Sequence, residues 1–405
     1  MTVLLLSIQW QPVPVLFWIC LFVVVYTYIG YGVVLLCMVK IKRLFLGKKE
    51  IPPYADCDET LPEVTLMICA YNEEDIIDAK MHNTTELDYP KDKLHIMWVT
   101  DGSTDETNDR LRKYREVSVV FSKERKGKAA AINHGMQMVR TELVIMTDSN
   151  TILNSGCIKE IVRLFKDPKV GCVSGEKKVL VRTDEGQMAA KGEGVYWKYE
   201  STLKRWDSEL YSAMGAAGEL CAIRSLLYNQ LPEDTLLDDF VVSMEIVRKG
   251  YKIAYTADAY AMEYGSADLS EESKRKRRIA AGGLQSCWRL IGLLNPFRFP
   301  IVSFQFLSHR VLRWTITPIC LLALIPLNVS LVISHYNALY FSLWIFQIVF
   351  YLSATVGYLL AERGKQSRLF FIPYYFLFMN LNVFLGIKYL AQKKGSGAWE
   401  KAKRS

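Results

Sequence analysis

Residues 144–154 read VIMTDSNTILN. The apolar run Val144-Ile145-Met146 ends in Thr147-Asp148-Ser149-Asn150, where a polar turn begins at once. A strand that reads as buried and stops on an aspartate and an asparagine sets two oxygen donors at its C-terminal edge. Such a pair can hold a divalent cation. It can also be only a turn, because Asp, Ser and Asn hydrogen-bond to their own backbone there.

Outward from this stretch, apolar β-rich runs alternate with helical periods. VTLMICA (64–70), LHIMWV (94–99), VSVVF (117–121) and LVIMTD (143–148) are separated by stretches such as GKAAAINHGMQMV (127–139). Strand, helix, strand in this order predicts an α/β domain whose mostly parallel sheet is covered by helices on both faces. In open sheets of that type, ligands bind beyond the C-terminal ends of the strands. Those ends are polar here. The first is followed by Tyr71-Asn72-Glu73-Glu74, the second by Asp101-Gly102-Ser103-Thr104-Asp105, and the fourth ends in Asp148-Ser149-Asn150. DGSTDET alone makes a good helix N-cap, since Ser, Thr and Asp accept from free helix N–H groups. Acidic residues at three strand ends of one sheet point instead to a shared ligand. Lys126 and Lys128 flank Gly127 at a helix start, where backbone N–H groups and the dipole favour an anion.

The chain has 405 residues, enough for one core-bearing domain and more. Hydrophobic residues make up 51% and mean hydropathy is +0.10, with the apolar residues concentrated near the two ends. That distribution predicts a membrane protein with a soluble middle. The nine cysteines show no CxxC pair and no matching histidine spacing, so neither a zinc site nor a disulfide framework is indicated and the middle reads as reduced and cytosolic. The net charge of +8 comes largely from runs beside apolar segments, which favours anionic lipid headgroups as partners and not nucleic acid.

After an N-terminal segment (residues 1–14), Val15 to Val39 carries no charge, longer than the roughly 20 residues a bilayer requires. Without a basic n-region or A-x-A site it reads as a retained signal-anchor. Lys40, Lys42, Arg43, Lys48 and Lys49 hold the next segment in the cytosol by the positive-inside rule, and Pro52-Pro53 mark a linker into the domain. Further apolar stretches cover 311–334, 339–361 and 369–390. Four spans would place the basic tail, 391–405, outside, against the same rule. The last segment therefore crosses despite its tail, which is the favoured expectation, or is re-entrant or interfacial. Residues 284–308, with Trp288, Arg289 and Arg298, read as interfacial amphipathic helices, the alternative being ordinary surface helices of the domain. The expected location is the plasma (bacterial inner) membrane, multi-pass, with the catalytic domain cytosolic.

Over residues 62–283 the motifs AYNEE, VTDGSTDET, GKAAAIN and TDSN together make the chain resemble the family 2 glycosyltransferases. These are inverting GT-A enzymes that include cellulose, hyaluronan and poly-N-acetylglucosamine synthases. The resemblance implies that Ala70, Tyr71, Glu73, Asp101, Lys128 and Asp148 hold a UDP-sugar donor. TDSN stands where the family carries its D-x-D metal motif, so Asp148 and Asn150 would face Mg²⁺ or Mn²⁺ bridging the diphosphate. The second Asp of that motif is an Asn here, which can still bind a hard cation with one less negative charge.

Downstream, LDDF (237–240) followed by RKGYKI is similar to the family's T-E-D motif, and the register places the catalytic base at Asp239. A carboxylate there would deprotonate the acceptor hydroxyl as it attacks the anomeric carbon opposite UDP. Asp238 would fix geometry or raise the base's pKa by like charge. Read alone, the pair could simply cap a helix. GAAGELCAIR (215–224) resembles the segment lining the acceptor site, which implies Gly215, Gly218 and Glu219 there; as plain sequence it is a tight turn into a strand. RKRRIAAGG (275–283) stands at the family's Q-x-x-R-W motif, with Arg275 at the Gln, Arg278 at the Arg and Ile279 at the Trp. Arg278 would neutralise the departing diphosphate. Ile279 removes the ring on which an acceptor sugar stacks. The same basic run can also face lipid headgroups.

The implied activity is transfer from a UDP-sugar to a growing polysaccharide, with export and with accessory export or synthase subunits among the partners. The alternative is a single transfer to a polyprenyl-phosphate or other lipid-linked acceptor. A sugar nucleotidyltransferase would need neither an Asp239-type base nor membrane spans, and a membrane scaffold would have no use for three acidic strand ends.

Overall fold

The computed structural model describes residues 12–47, 61–180, 187–265, 269–334, 337–363, 365 and 367–392. Most of the N-terminal segment, Lys48, Lys49, the Pro52-Pro53 linker and all but the first residues of the basic tail lie outside the described residues.

Among the described residues, eight strands form one sheet: β1 (Val64–Ala70), β2 (Leu94–Asp101), β3 (Val117–Ser122), β4 (Leu143–Asp148), β5 (Ile152–Leu153), β6 (Val170–Leu180), β7 (Leu220–Arg224) and β8 (Lys252–Tyr264). Their order is β3-β2-β1-β4-β7-β6-β8-β5. The four runs read from the sequence are β1 to β4, and they pair in parallel. Beyond β4 the sheet is mixed, because β7 runs against both β4 and β6 while β6 and β8 are parallel. β7 begins with Leu220 paired to Thr147 near the end of β4, and so runs back from the edge where β1 to β4 end.

Both faces of the central strands are covered, which is why they read as unbroken apolar runs and not as alternating ones. Met67, Val99, Val144 and Ile223 pack into one core with Phe240, Met244 and Ile246. Leu66, Ile68, Trp98 and Ile145 pack into the other with Ile77, Ile158 and Ile161. Each fully buried side chain of this size contributes about 1.5–3 kcal/mol.

Among the described residues, four helices are long and apolar enough to cross a membrane: Pro12–Leu46, Ile316–Ser334, Ala338–Glu362 and Leu369–Gln392. The first is continuous with the domain. Tyr31, Leu35 and Val39 pack on Leu203 and Leu210 of the helix Gln187–Leu210. Beneath this seam lies a buried charged cluster. Tyr31 donates to Asp207, His309 Nδ1 lies 2.5 Å from the other Asp207 oxygen, and Gln305 donates to Asp207 Oδ1 at 2.8 Å. Arg310 and Arg313 pair with Glu200 at 2.7 and 2.8 Å. Burial alone would raise the Glu200 carboxyl; Arg310, His309 and Arg313 overcome it and hold the group well below its ordinary value.

The stretch 284–308 is buried on one side and exposed on the other. Leu290, Leu293, Val302 and Phe306 are buried in the domain core, while Trp288, Ile291 and Phe297 are exposed.

Candidate active site

The register of the sheet sets the site. Cys69 of β1 lies level with Asp148 of β4, Ala70 with Thr100 of β2, and Asp101 with Ser122 of β3. Their following loops therefore meet above one edge. They interlock there. Asn72, at φ 53°, donates its backbone N–H to Ser103 Oγ and accepts from Thr104 N at 2.8 Å, while Glu73 N donates to Thr107 Oγ1 at 2.8 Å. Gly102, at φ 65°, admits the third loop: a Cβ there would stand 2.5 Å from the Arg125 nitrogen. The Arg125 guanidinium then lies 3.8 Å from the centre of the Tyr71 ring. Asp101 is buried beneath them and accepts from the backbone N–H of Lys126 and Gly127 at 2.9 and 2.7 Å. The anion held at the start of the helix Lys128–Met138 is thus Asp101 itself.

Deeper in, Lys128 joins the two acidic motifs. Its Nζ lies 2.6 Å from Asp148 Oδ1 and 3.6 Å from Asp238 Oδ2. Burial would lower the Lys128 pKa, but Asp148 and Asp238 outweigh it and hold the ammonium well above its ordinary value. Asp238 and Asp239 occupy the first turn of the helix Asp238–Arg248, whose capping position is Leu237 and carries no side-chain cap bond. Capping does not account for the pair. Met67, Cys69, Lys128, Met146, Gly218, Asp238 and Asp239 line one small pocket. Burial there, then the like charge of Asp238, pushes the Asp239 carboxyl up to about 7 against the pull of Lys128. Arg278, on the helix Leu269–Arg289, is close enough for Asp238 and Asp148 to act on it; burial and Arg275 outweigh them and lower its pKa.

Asp148 and Asn150 supply a carboxylate and an amide oxygen at the end of β4, both partly exposed. Among the described residues no group of three His, Cys, Asp or Glu side chains could enclose an ion. This donor set fits a hard cation that takes its other ligands from phosphate oxygens and water.

On the far side of Asp239, a Cβ at Gly218 would stand 3.1 Å from Asp239 Oδ2. Gly215, at φ 98°, lies against the Phe240 ring, where a Cβ would be 2.3 Å away. Arg310 Nε donates to the Met214 carbonyl at 2.8 Å, tying this segment to the buried cluster. Glu219 accepts from Lys177 Nζ at 2.8 Å and lies 3.7 Å from Arg275. Burial would raise the Glu219 carboxyl, and Lys177 and Arg275 hold it below its ordinary range. Ile279 is half-buried, one residue beyond Arg278. Lys177 and Arg310 carry no motif in the sequence. A local signal for Lys177 is the charged run Glu176-Lys177-Lys178 inside a strand, of which Lys177 is buried.

A sheet of this order with acidic strand ends around a basic centre defines a GT-A glycosyltransferase. Residues 62–282 match the family model described as Glycosyltransferase like family 2, and the chain belongs to that family. Among curated relatives, the poly-beta-1,6-N-acetyl-D-glucosamine synthase of Staphylococcus aureus (strain MSSA476) is 26% identical over 285 residues, 67% of this chain and 66% of that protein. The probable glycosyltransferase YdaM of Bacillus subtilis (strain 168) is 25% identical over 254 residues, 58% of each. The alignment thus spans just under two thirds of the synthase. Among solved structures, the mannosyltransferase PcManGT from Pyrobaculum calidifontis, in complex with GDP-Man and Mn²⁺, superposes with a TM-score of 0.67 at 21% identity, covering 93% of this chain and 99% of that one. That likeness establishes a shared fold across domain and membrane helices alike.

Proposed function

We propose that the protein is an inverting glycosyltransferase that moves a sugar from a UDP-sugar to a growing polysaccharide, with Asp239 as general base. The observation that carries this is the position of Asp239, between the Lys128–Asp148 pair on one side and the Gly218 backbone on the other. An acceptor hydroxyl beside Gly218 gives its proton to the Asp239 carboxylate while its oxygen attacks the anomeric carbon. The bond from that carbon to the phosphate oxygen breaks, and the electron pair leaves with the diphosphate. A carboxyl near 7 is matched to this task at neutral pH. Arg278, near enough to Asp238 and Asp148 for both to act on its charge, would meet the charge that develops on the leaving group. Mg²⁺ or Mn²⁺ held by Asp148 and Asn150 would neutralise charge on the diphosphate when bound. Tyr71, Glu73 and Asp101 shape the loops that receive the nucleotide.

The S. aureus relative's name supports a polymer product, and the Mn²⁺ of the structural neighbour supports a divalent cation. The missing ring at Ile279 favours the second reading, one transfer to a polyprenyl-phosphate or other lipid-linked acceptor. UDP release from purified membranes, measured over a panel of UDP-sugars with product length determined, separates the two. Release with one sugar and a long product supports the synthase reading; a single-sugar lipid product supports the second; no release with any UDP-sugar refutes the donor.

A further inference from the structure

The last helix, Arg368–Gln392, begins on the catalytic side of the membrane helices and also ends there. Its start follows from connectivity. The helix Ile316–Ser334 leaves the domain just after Trp314, whose ring lies against Gly283, and Thr317 meets Thr27. Ala338–Glu362 returns from the far side, where Tyr340 packs on Phe17 and Trp18. Glu362 and Ser367 are therefore back beside the domain.

Its end follows from packing. A Cβ at Gly386 would stand 2.8 Å from the Ala281 nitrogen and 2.9 Å from the Ala280 Cβ. The next residue of that same helix, Gly282, abuts Leu237, which precedes Asp238: a Cβ at Gly282 would stand 2.6 Å from Leu237 Cγ. Tyr389 is near enough to Arg278 to act on its charge. Earlier along the helix, Lys276 lies over the Tyr375 ring at 5.8 Å, and Asn380 accepts from Tyr28 OH at 2.9 Å. Tyr28 stands one turn from Tyr31, which joins the domain at Asp207.

A helix of 25 residues is about 37 Å long, enough to cross a hydrocarbon core of about 30 Å. A crossing helix would put Gly386 and Tyr389 a membrane's width from the catalytic carboxylates. They lie instead about one helix packing distance from the helix that reaches Asp238, on the order of 10 Å. The side chains of Leu369, Ile372, Leu381, Leu385 and Ile387 are exposed and apolar, as are those of Phe346, Val349 and Leu352 on the preceding helix. We infer that this helix does not span the bilayer: it lies in the leaflet on the catalytic side, its outer face in lipid and its inner face against the helix bearing Arg278. The chain then makes three crossings, and the basic stretch after Gln392 stays on the side the positive-inside rule prefers. Four spans, the favoured expectation from hydropathy, would carry that stretch across.

The test uses the full chain in membranes, with Glu362→Cys, Lys388→Cys and Gln392→Cys probed by a membrane-impermeant maleimide on right-side-out and inside-out vesicles. Labelling of the unsubstituted chain is subtracted, since Cys37 is exposed. All three positions are expected to react from the same face. Reaction of 388 and 392 from the face opposite to 362 overturns the inference, as does their failure to react from the face that labels 362. Labelling needs neither donor nor acceptor, so this result stands or falls apart from the reaction proposed above.

Discussion

Replacing Asp239 by asparagine has two effects of opposite sign, and both follow from one feature. The carboxyl sits near 7 because burial, and then Asp238, penalise its charge. Its folded pKa is thus raised from an ordinary 3.8, so the fold binds the proton more tightly than the unfolded chain does. Stability tied to this group is lost as pH rises from about 4 towards 7, and the full penalty is present above 7. The shift of roughly three units at 1.36 kcal/mol each sets a ceiling of about 4 kcal/mol. The amide of the Asp239→Asn variant carries no charge at any pH and escapes that penalty. The variant is expected to melt several degrees higher than wild type at pH 8, at about 2–4 °C per kcal/mol for a domain of this size, with little difference at pH 4. Its transfer rate is expected to fall by about 10²–10⁴ while UDP binding persists. In the wild type, kcat/KM is expected to fall tenfold per unit below pH 7 as Asp239 is protonated. Scanning fluorimetry in detergent and a pH series of UDP release measure the two halves. A pH-independent melting difference would show that the charge of Asp239 is not penalised, and an acid limb near pH 4 would remove it as the base.

Chelation by EDTA is expected to abolish activity and Mn²⁺ or Mg²⁺ to restore it, with Asn150→Asp tolerated; full activity in EDTA would reduce TDSN to a turn. Gly218→Ala places a methyl group about 3.1 Å from the Asp239 carboxylate, so kcat should drop with UDP affinity unchanged, and an unaltered kcat would move the acceptor elsewhere. Arg278→Ala should slow transfer and donor hydrolysis alike, by about 10²–10³, as loss of a leaving-group contact requires. Ile279→Trp should instead lengthen the product with hydrolysis unchanged, since a ring against a sugar adds on the order of 1 kcal/mol, about fivefold in residence; unchanged length would argue against a held chain.

The strand ends were legible because a strand buried on both faces is an apolar run, and the polar residues that interrupt it stand out. Asp148 and Asp101 stand out that way, whereas the pair Asp238-Asp239, which opens a helix, is legible only through its likeness to the family's T-E-D motif; Lys128, Asp238 and Asp239 line one pocket, with Asp148 paired to Lys128. The helix Gln187–Leu210 was not foreseen. Its sequence carries Gly192 and Gly194 and charges on every side, which resembles a solvated loop, whereas Glu200, Lys204 and Asp207 are in fact buried. Charge reports exposure only when no partner is near, and the partners here, His309, Arg310 and Arg313, are about a hundred residues away in sequence. The antiparallel direction of β7 is likewise illegible locally, since a short apolar run reads the same in either direction.

The cluster around Asp207 also decides what can fold on its own. Asp207 and Glu200 lie within the family-matched stretch, but the groups that compensate them lie outside it: Tyr31 on the first membrane helix, and Gln305, His309, Arg310 and Arg313 beyond residue 282. Removing one partner of a buried ion pair costs about 3–5 kcal/mol, and trimming the chain to 62–282 removes all of them at once. That sum is of the order of a whole domain's stability. The cooperative unit is therefore larger than the catalytic domain drawn by homology, and the first membrane helix, with the stretch 305–313, is part of its core rather than a tether to it.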